Sequence, residues 1–227
     1  MTVEAFAIRV RPSPETNDHE VCLMADGEDL VARLGSALMG LDPDDLLVEP
    51  CPLAVDGTPR TVTVGRCECG VTGCDSVAVV ISREGEVVTW SSTDGATRVR
   101  FDARQYSAEV ARALGDFSWE TQDRTAARLI ARGMDRQALA AMGLRFIWAS
   151  GRVEPRQMTV SLDLDGAYQV LVHVPWDAGR SAEEVAADVL AHFRLPPQHW
   201  GRVIWYPQRQ AIGVPALAGP GWAQRGR

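Results

Sequence analysis

The chain contains no lysine; all 23 of its basic residues are arginine. Every side-chain cation apart from histidine is therefore a planar fork, suited to bidentate contacts with carboxylates and phosphates. A GC-rich coding sequence accounts for this bias most simply. Long apolar runs are also missing. No stretch approaches the roughly 18 to 20 consecutive apolar residues needed to span a bilayer, so no membrane partner is expected. Met1–Ala5 lacks a basic region followed by an apolar segment, and a cytoplasmic location, where thiols stay reduced, is the expectation. No Gly-x-Ser-x-Gly elbow, P-loop or Gly-x-Gly-x-x-Gly segment follows a strand, which removes the commonest hydrolase and nucleotide-binding signatures. The net charge is −7, and residues 1–75 carry 14 acids against 5 arginines. An acidic first third opposes phosphate approach, so strong generic nucleic-acid binding is not expected.

What the chain does have is cysteine in one place. Three of five lie in Cys67-Glu68-Cys69-Gly70-Val71-Thr72-Gly73-Cys74. Zinc takes about four N/S ligands in a tetrahedron, and thiolates on a tight turn can supply several of them. Gly70 and Gly73 permit positive φ, which lets the flanking thiolates converge. Cys51 is the natural fourth ligand, making Cys51, Cys67, Cys69 and Cys74 the candidate Zn2+ site. The spacing departs from paired Cys-x-x-Cys knuckles, and two other readings stand beside zinc: inert packed thiols, and disulfide or redox use. Cys22, in an apolar run, is read as core.

The segment from Arg66 to Cys74, followed by a valine-rich strand and Trp90, resembles uncharacterised actinobacterial proteins that carry Cys-x-Cys-Gly-x-x-Gly-Cys. The resemblance covers a minority of the chain and implies no activity, ligand or partner.

Periodicity indicates an α+β protein with two mainly antiparallel sheet-containing lobes. Residues 1–100 form an α+β lobe bearing the cysteines, 101–143 a helical segment, 144–206 a hairpin, helix and strand, and 207–227 a flexible tail. In the first lobe, Leu30, Leu34 and Leu38 recur every four residues, as in a helix. In the helical segment, Ser118 can cap a helix from Trp119, and Asp135 a short one ending at Gly143. Two alternating runs flank Asp165-Gly166-Ala167. A three-residue connection puts Leu164 opposite Tyr168, Leu162 opposite Val170 and Val160 opposite Val172, all on one face, whereas a two-residue loop mismatches every pair. Ser181 and Glu184 have the spacing of a capping box.

Arg124, Arg128, Arg132 and Arg136 recur every four residues and can form a solvated face, contact an acidic partner or meet phosphates, with Glu120 spaced to pair with Arg124. Of seven tryptophans, Trp90, Trp148 and Trp205 fall in strands and read as core. Trp176 and Trp200, beside prolines or loops, are candidate exposed anchors. His173, His192 and His199 do not visibly converge, and Asp163 and Asp165 are ordinary turn residues, so no catalytic residue is assigned. The expectation is a non-enzymatic binding or protein-interaction protein with a zinc site, meeting another protein through Arg124, Arg128, Arg132, Trp176 and Trp200. The alternative is an enzyme with an interlobe or metal-dependent site.

Overall fold

Apolar and polar residues alternate in β1 (Phe6–Pro12), whereas β2 (His19–Ala25) is apolar from Val21 to Ala25, and the two pair antiparallel with Ile8 opposite Leu23. A computed structural model describes residues 3–12, 19–34, 38–67, 69, 74–177, 179–208 and 213–225. The chain divides after Trp119 into two units, each holding sheet and helix, in agreement with an α+β class.

In the first unit β3 (Glu28–Asp29) completes a small sheet in the order β1-β2-β3, and the Asp29 carboxylate caps α1 (Leu30–Arg33) by accepting from the Val31 and Ala32 N–H groups. This helix is shorter than the leucine spacing suggests. It ends before Leu34, while Leu38 packs on the same core just ahead of β4 (Met39–Gly40). Leucines on one core satisfy a helical spacing without sharing one helix. Asp42 caps α2 (Pro43–Leu46). A five-stranded sheet then runs β4-β5-β6-β7-β8, with β5 Arg60–Arg66, β6 Ser76–Glu84, β7 Val87–Ser92 and β8 Arg98–Asp102. Gly40 joins the two sheets. The Val21 N–H donates to the neighbouring Leu41 carbonyl at 2.8 Å, and a Cβ on Gly40 would sit 2.1 Å from the Val21 carbonyl oxygen, so no larger residue fits.

Asp102 caps α3 (Ala103–Gly115), whose Tyr106 enters an aromatic cluster with Phe6, Trp90 and Phe101. On the other side of α3, polar side chains finish the edge of β1. Gln105 accepts from the Phe6 N–H at 3.0 Å and donates to the Phe6 carbonyl at 2.6 Å. Two residues on, Glu109 and Arg112 do the same for Ile8, each at 2.7 Å. A helix thus supplies the hydrogen bonds that a further strand would make, and protects an edge otherwise open to pairing.

The 101–143 stretch is not one segment, because α3 belongs to the first unit and α4 (Gln122–Gly133) and α5 (Arg136–Ala140) to the second. The Ser118 hydroxyl donates to Asp116 at 2.6 Å, and α4 begins after Thr121 instead. Asp135 does cap α5. The second unit's sheet contains β9 (Leu144–Ser150), β10 (Gln157–Leu164), β11 (Tyr168–Pro175), β12 (Arg202–Pro207) and β13 (Trp222–Gln224), in the order β13-β12-β11-β10-β9. The three-residue hairpin register is as expected, and α6 (Ala182–His192) carries the complete Ser181/Glu184 capping box. Ala126 and Ile130 of α4 and Val185 and Val189 of α6 share a core with Val160, Leu162, Val170 and Val172. Part of the expected tail is ordered structure. Trp222 starts β13 parallel to β12, stacks on Trp200 at 6.0 Å between ring centres, and donates its indole N–H to the Pro197 carbonyl at 3.0 Å.

Candidate metal site

β5 and β6 place the cysteines. Their ladder ends with Arg66 opposite Ser76, and the Cys67 N–H then donates to the Asp75 carbonyl at 3.1 Å, closing the neck of the turn. Gly70 and Gly73 lie outside the described residues. The Sγ atoms of Cys67, Cys69 and Cys74 lie within 4.8 Å of one another. Tetrahedral thiolates around one zinc, with Zn–S near 2.3 Å, stand roughly 3.8 Å apart, so small side-chain rotations bring these three onto one ion. Cys67 is half-buried, and Cys69 and Cys74 are exposed.

Cys67 and Cys74 shift in opposite directions. Hydrogen bonding from Cys69 chiefly lowers Cys67 to about 7; burial opposes it, and hydrogen bonding from Cys74 adds a lesser lowering. Hydrogen bonds to Cys67 and then Cys69, with the charge on those sulfurs, raise Cys74 to about 11. The physical content is joint titration: Cys67 gives up its proton more readily than an ordinary thiol, and Cys74 holds its own more tightly. A metal ion replaces those protons, since thiolate is the ligating form.

Cys51 does not join them. It is buried in the first unit's core, its thiol donates to the Leu46 carbonyl at 3.5 Å, and burial raises its pKa. It behaves as a small hydrophobe, and the proposed four-cysteine set reduces to three. Cys22 is buried as expected, and burial with the Glu20 charge raises it to about 11. Among the described residues no other His, Cys, Asp and Glu group converges in the geometry of a metal site.

The candidate contact residues separate. Arg124 is buried at 5% exposure. Glu120 takes Arg128 in a two-pronged ion pair at 2.7 and 2.8 Å, and Arg132 is exposed. Since α4 starts only at Gln122, Glu120 precedes the helix and can reach two turns along it. Trp200 is the clearest correction. It is 1% exposed, its indole N–H donates to the Leu195 carbonyl at 3.0 Å, and it packs against Phe193 and Trp222. Trp176 is half-buried against the second core, so near Gly151 that a Cβ there would be 3.2 Å from its ring. Trp90 and Trp205 are buried as expected, and Trp148 half-buried.

His173 is a buried polar residue whose setting the sequence did not reveal. At 3% exposure its Nδ1 lies 3.1 Å from the Thr159 hydroxyl, and its buried Nε2 has no partner among the described residues. Burial chiefly, helped by Arg202, lowers its pKa. His192 and His199 lie elsewhere, on α6 and the short turn Pro197–His199.

No protein-family model, curated protein or solved structure matches the chain. Among the described residues no helix is long and apolar enough to cross a membrane. The chemistry of the site therefore rests on Cys67, Cys69 and Cys74, which can hold a metal ion.

Proposed function

We propose that the protein is a non-enzymatic binding protein whose working element is the thiolate turn, and that Cys67, Cys69 and Cys74 take up one zinc ion. The observation that carries this reading is the convergence of three sulfurs within 4.8 Å on a turn whose neck is already hydrogen-bonded. Thiolates favour soft ions, and zinc accepts sulfur donors without redox change. The ion ties the end of β5 to the start of β6 and adds its binding free energy to the folded state, because an unfolded chain does not hold three cysteines together. Burial of Trp200 and Arg124 weakens the case for a protein-contact patch on those residues and leaves the metal as the leading element. Metal analysis of protein purified under reducing conditions tests this. About one zinc per chain is expected, with Cys69→Ser lowering both zinc content and melting temperature. A folded, metal-free preparation that added zinc does not stabilise would contradict it.

A further inference from the structure

α3 runs alongside β1 and keeps step with it. Four helical residues rise about 6 Å and two strand residues about 6.6 Å, so Gln105, Glu109 and Ala113 meet Phe6, Ile8 and Val10 in turn. Gln105 completes the main chain of Phe6, and Glu109 with Arg112 that of Ile8. Ala113 offers Val10 only a methyl group, and Asp116, further along the chain, is held by Arg112 and Ser118. Val10 nonetheless points the same way as Phe6 and Ile8. Val21, directly opposite it on β2, turns its N–H away to the Leu41 carbonyl, so this pair exchanges no main-chain bonds and the Val10 N–H and C=O face outward. On that side lies a cavity of about 450 Å³ whose walls include Val10, Ala113, Asp116, Ser118 and Trp119.

We propose that this cavity is a peptide-binding site, in which the main chain of an extended partner segment adds to β1 by pairing with Val10. The site is independent of the metal. Strand addition draws its affinity from main-chain hydrogen bonds, and one residue of an extended peptide can exchange both bonds with Val10. The volume falls within the roughly 300–1,000 Å³ of ligand pockets. Its neighbours on the strand decide what kind of partner fits. Pairing cannot run back past Ile8, whose N–H and C=O are taken by Glu109 and Arg112, and Pro12, next on the same edge, has no N–H to give. A second copy's sheet needs a longer open edge than this, whereas a short extended segment needs only one residue of it.

The test follows the main-chain amide signals of the isotope-labelled full chain by nuclear magnetic resonance. The probes are the peptide Thr-Val-Thr-Val, blocked at both ends, and the same peptide N-methylated at every amide. The expected result is a saturable downfield shift of the Val10 amide proton, accompanied by shifts at Ala113 and Trp119, with no response to the N-methylated peptide. Ala113→Gln gives Val10 the cap that Gln105 gives Phe6, and Val10→Pro removes the donor at a position where an edge strand tolerates proline. Each folded variant should lose the response at the remaining signals. A Val10 amide unmoved by large peptide excess, equal shifts with the N-methylated peptide, or a full response in either folded variant overturns the site. Where a variant fails to fold, the comparison of the two peptides on the wild type decides. None of these outcomes bears on the metal, which stands or falls on metal content.

Discussion

The main-chain N–H of Cys67 donates to the carbonyl of Asp75 at 3.1 Å, one step beyond the last β5–β6 pair. The neck of the cysteine turn is therefore closed by strand pairing before any ion is bound. Metal is expected to hold Cys69 and Cys74 more firmly to Cys67, while β7 and β8, which draw on the aromatic core, hold without it. Hydrogen exchange with and without a chelator should show protection lost at Cys69 and Cys74 and retained at Cys67 and in residues 87–102. Equal loss at all of these positions would contradict this division.

Thiol reactivity follows from the shared titration. In metal-free, reduced protein, Cys67 should be alkylated first, because its thiolate is populated near pH 7. The rate should fall as pH drops through about 7, and metal uptake should weaken in the same direction, since protons and metal compete for the sulfur. Cys22 and Cys51 should stay unmodified until the chain unfolds, both being buried. Peptide mapping after timed iodoacetamide treatment checks the order. Early labelling of Cys51 would place it outside the core.

Cys51→Ala separates packing from ligation. The substitution should leave metal content unchanged and cost roughly 1–2 kcal/mol of stability, the usual cost of trimming a buried side chain by one heavy atom. Denaturant unfolding and metal analysis of the same preparation measure both. Loss of metal in this variant would restore Cys51 as a ligand.

Trp200 is a structural residue, so Trp200→Ala should destabilise the chain by about 3–5 kcal/mol. Any partner lost by that variant would then reflect unfolding. Thermal melting measured beside the wild type checks this, and a variant with unchanged stability would return Trp200 to the surface.

His173 makes stability depend on pH. Burial holds its folded pKa below the ordinary value, so the unfolded chain binds a proton that the folded chain does not. Its neutral form costs nothing above the unfolded pKa of about 6.5, and stability falls as pH drops below that value. His192, also lowered by burial, adds an effect of the same sign. Melting temperatures between about pH 8 and pH 5 should decline less steeply in His173→Gln than in the wild type. Parallel declines would remove His173 as a source.

Local rules made much of the fold legible. The β10–β11 register agreed with the matching of faces, because a two-residue loop would have sent Val160 and Leu162 to the opposite face from their partners. The Ser181/Glu184 box and the Asp135 cap were equally local. What stayed hidden depended on distant chain. Trp200 lies beside a proline-containing turn and reads as exposed, yet it is covered by Trp222, which returns as β13. Cys51 reads as a ligand by residue type, but residues 46–53 bring it among Leu46, Leu53 and the core instead. Conversely, Cys67, Cys69 and Cys74 were legible as a set because one short turn holds all three.

The most direct test is the metal content of the reduced, purified chain, measured by mass spectrometry on the wild type and on Cys69→Ser in parallel. The proposed site predicts about one zinc per wild-type chain, much less in the variant, and a lower melting temperature for the variant that excess zinc does not restore. Wild-type protein that is folded without metal, and whose melting temperature added zinc leaves unchanged, would contradict it.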